Sequence, residues 1–152
     1  MKLGCFIPIR TKSTRILKKP FLSVDNQYIF DFLASNIIKS KFISKKNLIF
    51  CITNKSYDDD LFKKLKKFKY RVFRGSEKNI IERFYLANKI YKYDLILEID
   101  GDDIFTDYTI IDKLINNYKP NYAAVITKNL PLGLNCKLFS KQHLENIYLS
   151  LI

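Results

Sequence analysis

Apolar and polar positions along the chain alternate between two rhythms. Lys2–Ile9, Asn47–Thr53, Arg71–Arg74 and Leu95–Ile99 contain short apolar runs, rich in Ile, Phe, Leu and Cys and bounded by polar residues. Such runs predict strands buried on both faces. Between them the apolar residues recur at helical spacing: Tyr28, Ile29, Phe32, Leu33 and Ile37 over Tyr28–Ile38, and Leu61, Phe62, Leu65 and Phe68 over Asp58–Phe68. Ile80, Ile81, Phe84, Ala87 and Ile90 do the same over Asn79–Tyr91. Tyr108–Tyr118 reads as a further helix, Tyr122–Ile126 and Leu134–Phe139 as strands, and Ser140 as the cap of a last helix through Leu149. Strand and helix alternating throughout predict an α/β fold: three α/β/α layers around a mainly parallel sheet.

Composition narrows the class. At 152 residues, with no repeat, linker or low-complexity tract, the chain reads as a single domain over residues 1–152. No apolar run approaches the roughly 18 residues of a membrane span. The start, Met1 to Arg10, is interrupted too soon for a signal peptide, so the expected location is cytoplasmic. Cys5, Cys51 and Cys136 show no CxxC spacing and read as buried thiols. His143 is the only histidine and reads as a surface residue. The formal net charge of +12 comes mostly from lysines spread along the chain, which describe a solvated surface, and no nucleic-acid partner is expected. The five arginines are more telling: Arg10 and Arg15 lie in one segment, and Arg74 and Arg83 in another.

Two loops carry candidate chemistry. After the first strand, residues 10–20 hold five cations (Arg10, Lys12, Arg15, Lys18, Lys19) and three hydroxyls (Thr11, Ser13, Thr14). Cations and hydroxyl donors converge on anionic oxygens, so the loop fits a polyphosphate clamp; it also fits a solvated basic loop. It is not a Walker loop, and no GxGxxG occurs in the chain. After the fourth strand comes Ile99-Asp100-Gly101-Asp102-Asp103. Carboxylates this close repel unless a cation neutralises them, and Mg²⁺ is commonly held by one or two carboxylates plus substrate phosphates. A solvated Asp-Gly turn is the plainer reading. Gly75 and Gly101 both follow strands, where a ligand could approach the backbone closely. Asp58-Asp59-Asp60 opens a helix and is expected to cap it, complementing its dipole, rather than bind metal.

Four segments together resemble one family. Residues 7–20 are similar to the opening A-R-x-x-S-x-R-L-P-G-K-P of the CMP-sugar synthetases. Val72-Phe73-Arg74-Gly75-Ser76-Glu77 through Arg83-Phe84 resembles V-F-R-G-S-E-x-x-V-L-D-R followed by Phe or Tyr, typical of cytidylyltransferases of the spore coat polysaccharide type. Ile99 to Ile104 is similar to I-T-G-D-x-P, and Pro131 to Asn135 to P-x-G-L-D. Relatives of this group include the acylneuraminate and 3-deoxy-manno-octulosonate cytidylyltransferases.

The resemblance implies a nucleotide-diphospho-sugar transferase-like, Rossmann-like fold. It also implies transfer of CMP from CTP to a sugar hydroxyl, with release of pyrophosphate. By the same resemblance Arg10, Ser13, Arg15 and Lys19 hold the triphosphate, and Arg10, Lys19 and Asp102 are the catalytic set. Arg74, Gly75, Ser76 and Asp100 lie along the nucleotide, and Asp102 binds Mg²⁺. CTP and an acidic sugar are the implied partners, with a possible homodimer, to which the apolar end Ile147–Ile152 is suited. The sequence departs from the pattern at Leu17-Lys18 for Pro-Gly, Asp100 for Thr or Gln, Ile104 for Pro and Asn135 for an acid. The family pattern also continues past Ile152 to a V-D-T-P segment with a second metal-binding Asp. The chain is therefore expected to be truncated, with doubtful activity. Asp100-Gly101-Asp102 equally has the D-x-D form of a nucleotide-sugar glycosyltransferase, and the lysines could serve a non-catalytic binding module.

Overall fold

The computed structural model describes residues 1–12, 18–131 and 133–151. Its centre is a six-stranded sheet built from β1 (Leu3–Pro8), β4 (Leu48–Thr53), β5 (Arg71–Gly75), β6 (Leu95–Glu98), β7 (Ala124–Ile126) and β8 (Lys137–Ser140). The order is β5-β4-β1-β6-β8-β7. β5, β4, β1 and β6 are parallel to one another, and β8 pairs antiparallel with both β6 and β7. Every strand and helix expected from the apolar pattern is present, with ends shifted by a few residues.

Pleating explains the unbroken apolar strands. In β1, Cys5 and Ile7 point to one face and Phe6 to the other, and all three are fully buried. The first face is covered by α1 (Ile29–Ile37), α2 (Asp59–Lys67) and α4 (Tyr108–Asn116), through Phe30, Leu33, Leu61, Leu65 and Ile111. The second is covered by α3 (Ile80–Tyr91) and α5 (Lys141–Leu149), through Phe84, Ala87 and Leu144. A sheet covered on both faces leaves no solvent side for polar residues, so the sequence does not alternate. Asn79, Asp107 and Ser140 cap α3, α4 and α5, accepting from Glu82, Thr109 and His143 N–H groups.

One small element has no counterpart in the apolar pattern. β2 (Ser23–Val24) and β3 (Gln27–Tyr28) form a hairpin around Asp25-Asn26, with φ of 48° and 63°. Two positive φ values in a two-residue loop are those of a type I′ turn, which matches strand twist and tolerates Asp and Asn. The three cysteines are free and buried. Burial pushes the Cys5 and Cys51 thiols far up, and that of Cys136 to about 11, so all three act as small apolar groups. Among the described residues no helix is long and apolar enough to cross a membrane.

The chain winds from β1 outward to β4 and β5, then returns to place β6 on β1's other side. This reversal opens a crevice beyond the carboxyl ends of β1 and β6. Gly101 keeps the two ends together: its N–H donates to the Pro8 carbonyl at 3.1 Å. A Cβ there would stand 2.8 Å from that carbonyl oxygen and 2.8 Å from Ile9 Cβ. The close approach anticipated at Gly101 is thus made by β1's own backbone. Gly101→Ala is expected to lower stability by about 1–3 kcal/mol, as overpacking does, seen as a lower urea midpoint with an unchanged m-value.

Candidate active site

A cleft of about 450 Å³ occupies the crevice, lined by Arg10, Lys19, Lys78 and Arg83 together with Asp100, Asp102 and Glu77. Pro8, Ile9, Pro20 and Ile80 supply its apolar lining.

The basic wall begins where β1 ends and is anchored by Asp58. That carboxylate is fully buried. Oδ1 accepts from the Thr11 N–H at 2.8 Å and lies 2.7 Å from the Thr11 hydroxyl. Oδ2 accepts from the Thr53 N–H at 3.2 Å and the Thr53 hydroxyl at 2.5 Å. Dehydrating a carboxylate is costly, and charge-assisted hydrogen bonds offset it. Asp58 is therefore not the helix cap expected from its triple-Asp setting, and its side chain makes no cap hydrogen bond. Asp59 and Asp60 do lie in the first turn of α2. The other foot of the loop is tied by Lys18, whose N–H donates to the Thr11 carbonyl at 3.0 Å. Lys18 has φ of 52°, the left-handed conformation, at the position where the resembled pattern carries glycine. A short 3₁₀ turn over Lys19–Phe21 follows and delivers Lys19 to the cleft. Ser13 and Arg15 lie outside the described residues.

The acidic wall is a tight turn after β6, closed by the Asp103 N–H on the Asp100 carbonyl at 2.9 Å. Asp100 and Asp102 face the cleft. Asp102 Oδ2 meets Lys19 Nζ at 3.1 Å, so the two loops read from sequence do come together. Asp103 is pushed up to about 6 by burial first, then by repulsion from Asp100 and Asp102. Among the described residues no three His, Cys, Asp or Glu side chains converge on one point. Hard oxygens from Asp100 and Asp102 fit Mg²⁺ held jointly with substrate phosphates, rather than in an all-protein cage.

The β5 segment behaves differently from its sequence reading. Arg74 is turned to the α2 side: it donates to the carbonyls of Thr53 (3.2 Å) and Lys55 (2.9 Å) and pairs with Asp59 at 2.7 Å. Its guanidinium lies over the Phe62 ring. Gly75 packs against Phe73 and Arg83, and the Ser76 hydroxyl accepts the Asn79 N–H. None of the three lines the cleft; Glu77, Lys78, Ile80 and Arg83 do. Arg83 is only 4% exposed and ties α3 to β4 and to the loop after β5, donating to the carbonyls of Cys51 at 3.0 Å and Ser76 at 2.9 Å. Burial pushes its pKa down, partly opposed by the Asp58 carboxylate. Glu77 accepts from the Tyr57 hydroxyl at 2.6 Å, which holds its pKa down, as do Lys12, Lys55 and Arg10. These residues sat inside the recognised motif, but only the folded turn shows which side chains face inward.

A mainly parallel sheet with cations and carboxylates gathered at its switch point defines a Rossmann-like α/β fold with a candidate site for a phosphate-bearing ligand. Residues 5–150 match the sequence model of the cytidylyltransferase family, and the chain belongs to that family. It is 35% identical over 149 residues to an uncharacterized protein of Methanocaldococcus jannaschii (97% of this chain, 60% of that protein). It is 30% identical over 133 residues to the spore coat polysaccharide biosynthesis protein SpsF of Bacillus subtilis (84% and 55%). Among solved structures, a cytidylyltransferase from Leptospira borgpetersenii superposes with a TM-score of 0.90 at 27% identity, covering 97% of this chain and 64% of that one. A CMP:2-keto-3-deoxy-manno-octonic acid synthetase complexed with CTP shares the fold, with a TM-score of 0.74 at 9% identity (98% and 78%). The chain spans 60% and 55% of the lengths of the two curated relatives.

Two outcomes follow from this geometry. Asp58→Ala strands the Thr11 and Thr53 donors and is expected to cost about 3 kcal/mol of unfolding free energy in urea titrations. Asp103 has a folded pKa above its ordinary 3.8, so the native state binds the extra proton and stability falls as pH rises from about 4 to 6. Asp103→Asn is therefore expected to raise Tm in metal-free buffer above pH 6, the gain shrinking as pH falls to about 4.

Proposed function

We propose that the chain is the nucleotide-handling part of a CMP-sugar synthetase for surface polysaccharide biosynthesis. A sugar hydroxyl oxygen attacks the α-phosphorus of CTP, the α–β phosphoanhydride bond breaks, pyrophosphate leaves, and the hydroxyl proton passes to solvent. The observation that carries this reading is the pairing of walls in one cleft: Asp100 and Asp102 on the β6 turn, Arg10 and Lys19 on the β1 loop.

In-line phosphoryl transfer asks for positioning and for neutralisation of phosphoryl oxygens. Arg10 and Lys19 offer cations on the side toward which the pyrophosphate would depart, and by resemblance Ser13 and Arg15 extend that arm. Arg83, Ser76 and Gly75 set the path of the backbone beneath the nucleotide, while Arg74 braces β5 against α2. Asp102, with Asp100 beside it, would hold Mg²⁺ against the triphosphate. When bound there the ion supplies Lewis-acid polarisation and a template for the phosphates. The D-x-D form of Asp100-Gly101-Asp102 also suits a glycosyltransferase, but the family and the basic arm opposite favour transfer of CMP. An acidic sugar, of the kind named by the keto-deoxyoctonic acid synthetase that shares the fold, and a homodimer belong to the same proposal.

Release of pyrophosphate from CTP with a panel of acidic sugars tests the reaction. Calorimetry tests the site directly: Mg²⁺-dependent CTP binding is expected in the wild type and is lost, by at least about tenfold, in Asp102→Asn with the fold retained. Lys19→Ala is expected to weaken CTP more than CMP, because Lys19 is assigned to the distal phosphates. Unchanged Mg²⁺-CTP affinity in Asp102→Asn refutes the metal assignment.

A further inference from the structure

Lys19 and Asp102 come from opposite walls, 83 residues apart in sequence, and meet across the cleft. Their side chains are 31% and 46% exposed. An ion pair this wet contributes little to stability. The walls are already joined by the Gly101–Pro8 hydrogen bond, and the basic loop by its Asp58 tether. The pair instead occupies the two groups that ligands would need. On the reading above, Asp102 faces a divalent cation and Lys19 a phosphate oxygen; in the free protein each satisfies the other.

We propose that the Lys19–Asp102 pair is an exchangeable latch that makes a divalent cation and a polyphosphate bind cooperatively. A cation arriving alone competes with the Lys19 ammonium for Asp102. A polyphosphate arriving alone draws Lys19 away, leaving Asp102 without a counter-charge beside Asp100 and the incoming oxygens. When the two arrive together, Asp102 exchanges an ammonium for the cation and Lys19 exchanges a carboxylate for a phosphate. No charge is stranded. Coupling of this kind is reciprocal, so the cation raises polyphosphate affinity by the same factor as the polyphosphate raises the cation's. The inference rests on the cleft being the CTP site.

The test is a double-mutant cycle on the full chain, with inorganic tripolyphosphate in EDTA at low ionic strength as the probe. Calorimetry compares wild type, Asp102→Asn, Lys19→Met and the double variant. Opening the latch by Asp102→Asn is expected to tighten tripolyphosphate by about 3- to 5-fold, the scale of an exposed ion pair. In the Lys19→Met background the same change is expected to tighten it by less than about 1.5-fold, since no latch is left to open. Equal factors in both backgrounds would reduce Asp102 to a general repulsive charge and overturn the latch, as would weaker binding in Asp102→Asn than in wild type. Wild-type binding of Mg²⁺-CTP, measured alongside, separates the two levels. Its absence overturns the proposed function together with the latch; its presence with equal factors overturns the latch alone.

Discussion

A buried carboxylate decides where the chain goes after its first strand. Asp58 takes the N–H and hydroxyl of Thr11 on one oxygen and those of Thr53 on the other. It thereby ties the loop leaving β1 to the end of β4, its parallel neighbour. Four donors meet an anion that has no access to water, and such groups are stable only when every lone pair direction is used. The basic loop therefore leaves the sheet from a fixed point.

The cleft follows from that anchor and from the winding of the chain. Because β4 and β6 flank β1 on opposite sides, the loops after β1 and β6 diverge and leave room between them. Gly101 then limits how far they diverge. The result is a narrow gap with cations on one lip and carboxylates on the other, suited to a ligand that carries phosphate and a divalent cation together. Arg83 gives the floor its rigidity, since its guanidinium is spent on main-chain carbonyls of β4 and of the loop after β5.

Much of this was legible in the residues, for physical reasons that differ by element. Doubly covered strands must be apolar throughout and helices must repeat near 3.6, so both were plain from the apolar pattern. The antiparallel entry of β8 was not, because apolar runs carry no direction. The β2–β3 hairpin was missed because four strand residues are too few to show a period, although Asp25-Asn26 is a recognisable type I′ pair. In the site, the acidic turn and basic loop were read correctly as neighbours in space. Arg74 shows where motif reading stops: its place in the pattern says nothing about rotamer, and a short bond to Asp59 with a seat on Phe62 draws it to the far side of β5. Asp58 shows the converse, since an acid ahead of a helix looks like a cap until its burial is known.

Lys18 offers a last consequence. Its backbone sits at φ 52°, a region that a side chain branched at Cβ can hardly enter, yet one that a straight-chain residue reaches at modest expense. The bend before Lys19 is thus a sieve on sequence drift: glycine, asparagine, aspartate or an unbranched side chain passes, whereas valine, isoleucine and threonine are filtered out. A lineage can shed its glycine here, keep the bend, and gain in exchange a fourth described cation on the arm that borders the cleft.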